Sequence, residues 1–126
     1  MTGEGTEMVK AVSEYLKGAV EVPSSRTLVI VGAQVPVDPR KGTPEDIAGQ
    51  AALVWAGVRD ALAEKHLETR HIVAIETDLA DRADLVAAAE EEKRHVRHHV
   101  ARTVRIAGLA DPAWRLQVSV VAARTS

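Results

Sequence analysis

The sequence predicts an α+β domain: a mixed sheet with two helices packed on one face. Three stretches carry that prediction. Val104 and Ile106 alternate with Thr103 and Arg105 in Val100–Ile106, the period of a half-buried strand. Ile47, Ala51, Val54, Val58, Ala61 and Leu62 recur at helical spacing. Trp114, Leu116, Val118, Val120 and Ala122 alternate cleanly at the end. The full order reads β-β-α-β-α-β-β in a single domain spanning residues 1–126. No internal repeat, low-complexity linker or second domain is visible.

Taken in order, the residues up to about Glu14 are polar with weak periodicity and read as a frayed start or a short irregular segment. Tyr15–Val22 reads as a strand with Leu16 and Val20 as its apolar members. The turn cluster Pro23-Ser24-Ser25-Arg26 then returns the chain as a hairpin. Thr27–Val31 is continuously apolar and β-branched, as in a strand buried on both faces. Gly32-Ala33-Gln34 follows, where a glycine marks a bulge or a close approach of backbone or ligand. After a Pro- and charge-rich loop, Thr43 is the expected N-cap of a helix, with Pro44 in its first turn and Glu45 and Asp46 facing the dipole. Trp55 lies at the margin of that helix's stripe, and the helix ends near Lys65 or His66.

His71–Leu79 changes to period two, with Glu76 and Asp78 on a wetter face. Asp81 and Asp84 open a second helix running from about Arg82 to Arg97, with Glu90 facing Arg94 one turn on. Ala110-Asp111-Pro112 turns the chain into the last strand.

Composition bounds the function. A chain of 126 residues buries roughly two-thirds of its unfolded surface. With no Phe, one Tyr and two Trp, aliphatic side chains carry nearly all of that burial. Association between subunits would add to it, so an oligomer is expected. The absence of Cys excludes a disulfide framework and a thiol nucleophile. No secretory apolar region opens the chain and no apolar run is long enough to span a bilayer, so the expectation is a cytoplasmic protein without a membrane partner. A net charge of −2 gives no electrostatic reason to bind nucleic acid.

Two groups could carry chemistry. Arg102 stands at the entrance of a strand, where its guanidinium can present a planar fork to a carboxylate; the alternative is a surface ion pair. His95 and His99 would share one helix face, with Glu92 a turn before and His98 beside them. Such a face could hold Zn or Ni. Lys93, Arg94 and Arg97 would repel a divalent cation, so no metal is expected. There is no phosphate-cradling Gly-rich loop and no Ser elbow, and no cofactor is expected.

Gly32-Ala33-Gln34 closing an apolar strand, the helix opening Asp46…Gln50, the strand end Leu79-Ala80-Asp81 and the run Ala101-Arg102-Thr103-Val104 together resemble the RidA/YjgF family. The similarity runs from about Tyr15 to Ala123. It implies a chorismate-mutase-like fold, a homotrimer with ligand clefts between subunits, and deamination of reactive imine or enamine intermediates. Arg102 would then bind the carboxylate of a 2-imino or 2-oxo acid, Tyr15 would wall the pocket, and Gly32 and Ala33 would line it.

The chain departs from the family pattern at several positions. Ser-Gly-Gln becomes Gly32-Ala33-Gln34, a Pro becomes Val100, and an Asn in the second helix aligns with Ala89. The first acid of the last strand, the family's catalytic Glu, aligns with Gln117, and the second with Ser119. Glutamine can hold a water but cannot accept its proton at neutral pH. Two readings follow. One is an imine or enamine deaminase, a hydrolase, in which Arg102 anchors the substrate and Gln117 orients water. The other is a trimeric small-carboxylate-binding or regulatory protein that has lost hydrolysis. A ribonuclease role finds no support in the charge balance or the aromatic content.

Overall fold

Alternation at the end of the chain builds the centre of the sheet. Leu116, Val118, Val120 and Ala122 of β4 (Leu116–Thr125) are buried along one face. β4 pairs antiparallel with β1 (Arg26–Gln34) on one side and with β2 (Ile72–Leu79) on the other. β2 in turn pairs parallel with β3 (Ala101–Ile106), giving a mixed sheet of order β1-β4-β2-β3. This computed structural model describes residues 3–16 and 18–125.

Three helices complete the fold: α1 (Gly3–Leu16), α2 (Ile47–Glu64) and α3 (Leu85–His95). Ala51, Val54, Val58 and Leu62 of α2 form the core with β4 and with Ile72, Ile75 and Leu79 of β2. Ala88 of α3 and Val96 just after it extend that core on the same side of the sheet. Each fully buried Val or Leu contributes about 1.5–3 kcal/mol, so this layer supplies most of the folding energy. The predicted α+β fold, with α2 and α3 on one face, is the fold observed.

Several predicted elements differ. Gly3–Leu16 is helical rather than frayed or irregular. Ala11, Val12, Tyr15 and Leu16 fall at helical spacing, and Ala11, Val12 and Tyr15 line a groove with Leu85, Val86 and Ala89 of α3. The strand expected over Tyr15–Val22 is absent: Tyr15 and Leu16 end α1, and residues 18–22 form no strand, Lys17 lying outside the described residues. There is therefore no hairpin, and the sheet has four strands. Gly18 and Ala19 are instead held against His99, whose Nε2 donates to the Ala19 carbonyl at 2.9 Å. A Cβ on Gly18 would lie 2.8 Å from the His99 ring.

β1 is an edge strand buried on one face only. Leu28 is 53% and Ile30 78% exposed, on the sheet face opposite the helices. Its pairing shifts register between Val31 and Gln34, so Gly32-Ala33 is a bulge, the commoner meaning of a glycine there. Helix α2 is capped by Asp46 rather than Thr43, the Asp46 carboxylate accepting from the Gly49 amide at 3.2 Å. Trp55, expected at a margin, is 1% exposed and stacks on His95 with ring centroids 5.4 Å apart. The second long helix stops at His95, two residues short of Arg97. Arg94 pairs with Glu91 at 3.5 Å, not with Glu90. Among the described residues no helix is long and apolar enough to cross a membrane.

Candidate functional site

Arg102 opens β3 opposite Ile75 of β2, on the face that carries the helices. Above it runs α3, where Leu85, Ala88 and Glu92 recur at helical spacing along the inward stripe. A carboxylate on that stripe needs a partner in the protein, because burying it unpaired costs several kcal/mol. Arg102 is that partner: its Nε donates to Glu92 Oε2 at 2.6 Å. Tyr15, in the last turn of α1, donates its hydroxyl to Glu92 Oε1 at 2.8 Å. The Arg102 guanidinium carbon also sits 4.9 Å from the Tyr15 ring centroid, within cation–π range.

Glu92 is 2% exposed and thus joins three elements from beneath the surface. Burial pushes the Tyr15 phenol upward, the Glu92 charge and hydrogen bond push it further, and the Arg102 charge opposes only in part. Tyr15 is held far above the usual phenol range and remains an O–H donor. Arg102 is thus held by Glu92 through Nε and by Tyr15, whose ring and hydroxyl lie beside the guanidinium.

Arg102 and Tyr15 open onto a cleft of about 600 Å³ lined also by Lys93, Val96, Arg97, His98 and His99. No carboxylate lines it among the described residues. His98 Nε2 donates to the Ile72 carbonyl at 2.7 Å, and His99 Nε2 to Ala19 as above. A carbonyl only accepts, so both rings carry their proton on Nε2. Such a wall suits an anion.

The three histidines do not converge. Because α3 stops at His95, the helical spacing of His95 and His99 is lost. His95 stays with Trp55 and lies 3.2 Å from Glu91 Oε1. Among the described residues no three His, Asp or Glu are grouped to hold a metal ion.

Gln117 lies elsewhere. It is opposite Asp78 in the β2–β4 pairing, three residues along β2 from Ile75 and so on the other face of the sheet from Arg102. Its Nε2 donates to Asp78 Oδ2 at 2.9 Å. Arg105 holds the same carboxylate through Nε at 3.0 Å and reaches Glu76 Oε1 at 3.1 Å. Burial pushes the Asp78 carboxyl up, but the hydrogen bonds from Arg105 and Gln117 and the Arg105 charge outweigh it. The net result lies below the usual carboxylate range.

Gly32 and Ala33 sit on β1, beyond Val31. The row Val31–Val120–Ile75–Arg102 puts three strand spacings between β1 and Arg102, about 14 Å at 4.8 Å each. One chain thus joins Arg102 and Tyr15 but brings neither Gln117 nor Gly32-Ala33 to them. Gln50 is a structural hub: its amide donates to the carbonyls of Pro44 and Ala113 and accepts from the Arg115 amide at 2.7 Å. Sequence reasoning named Glu92 only as a neighbour of His95 and His99 on a candidate metal-binding face. The structure pairs it with Arg102 and Tyr15, and its spacing from Leu85 and Ala88 marks the buried stripe.

The family model described as endoribonuclease L-PSP matches residues 6–124. The chain belongs to this family, RidA/YjgF. Solved structures agree on the fold. E. coli TdcF with bound serine is 22% identical, at TM-score 0.71, over 85% of this chain and 91% of that one. A YjgF family member from Neisseria meningitidis is 25% identical, at TM-score 0.70, over 79% and 81% of the two chains. The YjgF gene product of E. coli is 20% identical, at TM-score 0.70, over 85% and 91%. Among curated proteins no sequence matches. Membership agrees with the resemblance carried by Ala101-Arg102-Thr103-Val104, and the Glu92 carboxylate under the arginine is a feature of this RidA/YjgF chain that those residues did not foretell.

Proposed function

We propose that this RidA/YjgF protein binds small 2-imino and 2-oxo carboxylates at Arg102 and hydrolyses the imines. The observation that carries this reading is the cleft onto which Arg102 and Tyr15 open, with no acid among the described residues that line it. Glu92 and the Tyr15 ring fix the guanidinium beforehand, so little side-chain entropy is lost when a ligand carboxylate docks. Water adds to the C=N carbon, one water proton passes to nitrogen, and collapse of the carbinolamine breaks the C–N bond. The products are ammonia and a 2-oxo acid. Positioning alone can accelerate such a step without a strong base. In this reading the working unit is a homotrimer, in which a neighbouring subunit would bring Gln117 and the Gly32-Ala33 bulge toward the cleft, Gln117 orienting the water.

The second reading, binding without turnover, is favoured by the Gln117 amide being engaged with Asp78. An assay with freshly generated 2-iminopropanoate and 2-iminobutanoate separates the two. Release of pyruvate and 2-oxobutanoate above the buffer rate is expected from the deaminase. Background rates together with carboxylate binding would establish the binding protein instead. RNA hydrolysis has less support, since a net charge of −2 gives no electrostatic pull on a polyanion.

A further inference from the structure

The charge balance of the cleft does not match a ligand with one carboxylate. Glu92 neutralises Arg102 from below. What remains on the wall is Lys93 from α3 and Arg97 just beyond it. Both are exposed, and neither makes an ion pair with a described residue. Arg94, between them in sequence, is by contrast paired with Glu91. An acid-free wall with two uncommitted cations beside a neutralised anchor attracts two negative charges, because like-signed walls of a cleft focus their field on its contents.

Building on the proposed function, we propose that the preferred substrate is a dicarboxylic 2-imino acid, of the kind formed by oxidising an acidic amino acid. The 2-imino carboxylate docks on Arg102 where it lines the cleft, and the side-chain carboxylate reaches Lys93 and Arg97. Selectivity is then electrostatic: a monocarboxylate keeps the anchor but leaves both outer cations unused. Arg102 sets whether carboxylates bind at all, whereas Lys93 and Arg97 set which ones bind best.

The stable 2-oxo acids serve as probes. Titration calorimetry of the full chain at low, constant ionic strength compares pyruvate, oxaloacetate, 2-oxoglutarate and inorganic phosphate. The dicarboxylates are expected to bind at least about tenfold more tightly than pyruvate, one further charge-assisted contact being worth that or more. The Lys93→Ala/Arg97→Ala double variant, altered only at exposed positions, should bring all three oxo acids within about twofold of one another, with pyruvate weakened least and the dicarboxylates most. Equal affinities in the wild type, or a preference that survives in the double variant, would overturn the dicarboxylate assignment and leave the Arg102 reading standing. Phosphate binding more tightly than 2-oxoglutarate would assign the outer cations to a phosphorylated ligand instead. No binding of any carboxylate would remove the proposed function along with this inference.

Discussion

Glu92 decides what Arg102 can do. A strand-end arginine without it would swing into solvent; with it, the guanidinium is pinned at 2.6 Å and flanked by Tyr15. Removing one member of a buried pair costs about 3–5 kcal/mol, because the survivor is left desolvated and uncompensated. Glu92→Ala is therefore expected to lower the urea-unfolding free energy by about 3 kcal/mol, less some relief from the partial exposure of Arg102. A loss under about 1 kcal/mol would mean that water already screens the pair. In the sequence Glu92 looks like its neighbours Glu90 and Glu91, and only the helical phase set by Leu85 and Ala88 distinguishes it. Arg102 and Tyr15 were legible through the family resemblance. The face on which Gln117 lies was legible too, since Leu116 and Val118 beside it point inward.

At the level of elements, the strands that pair in the middle of the sheet were the easiest to read. β4 alternates from Leu116 to Val120 and β2 from Ala74 to Thr77, because one face packs on helices and the other does not. A register shift between Ile72 and Ala74 breaks the pattern at the start of β2. β1 misled because a run such as Leu28-Val29-Ile30-Val31 is the same whether its second face meets protein or stands bare. α1 was hidden because its sequence is polar with weak periodicity, and docking beside β3 decides its state. The uncovered face also carries the Asp78 cluster, which ties β2, β3 and β4 together through Arg105 and Gln117. Since the folded carboxyl is held below its unfolded value of about 3.9, its contribution is present above that pH and lost as pH falls through the folded value. Asp78→Asn should accordingly flatten the loss of unfolding free energy between about pH 4 and pH 2. Parallel wild-type and variant curves in that window would show that Asp78 does not carry acid sensitivity.

For the whole molecule, Leu28 and Ile30 are exposed, and Ile30 lines one groove of the sheet with Ala74, Ala101 and Val121, beside Glu76, Thr103 and Ser119. Exposed apolar side chains on a sheet face are the kind of surface that association covers, and the homotrimer expected from the aromatic-poor core would use them. Light scattering at micromolar concentration should give three times the 13.5 kDa chain mass, and Ile30→Glu should reduce it to one chain. A wild-type monomer would leave Gln117 and Gly32-Ala33 with no route to the cleft. The claim on which both functional readings rest is narrower, that Arg102 anchors carboxylates. Titration of pyruvate into wild type, Arg102→Ala and Arg102→Lys, with folding verified by circular dichroism, tests it directly. A charge-assisted bidentate contact is worth about 1.5–3 kcal/mol, so the account predicts a loss of about tenfold to a hundredfold in Arg102→Ala and partial recovery in Arg102→Lys. Pyruvate binding to folded Arg102→Ala as tightly as to wild type would contradict it.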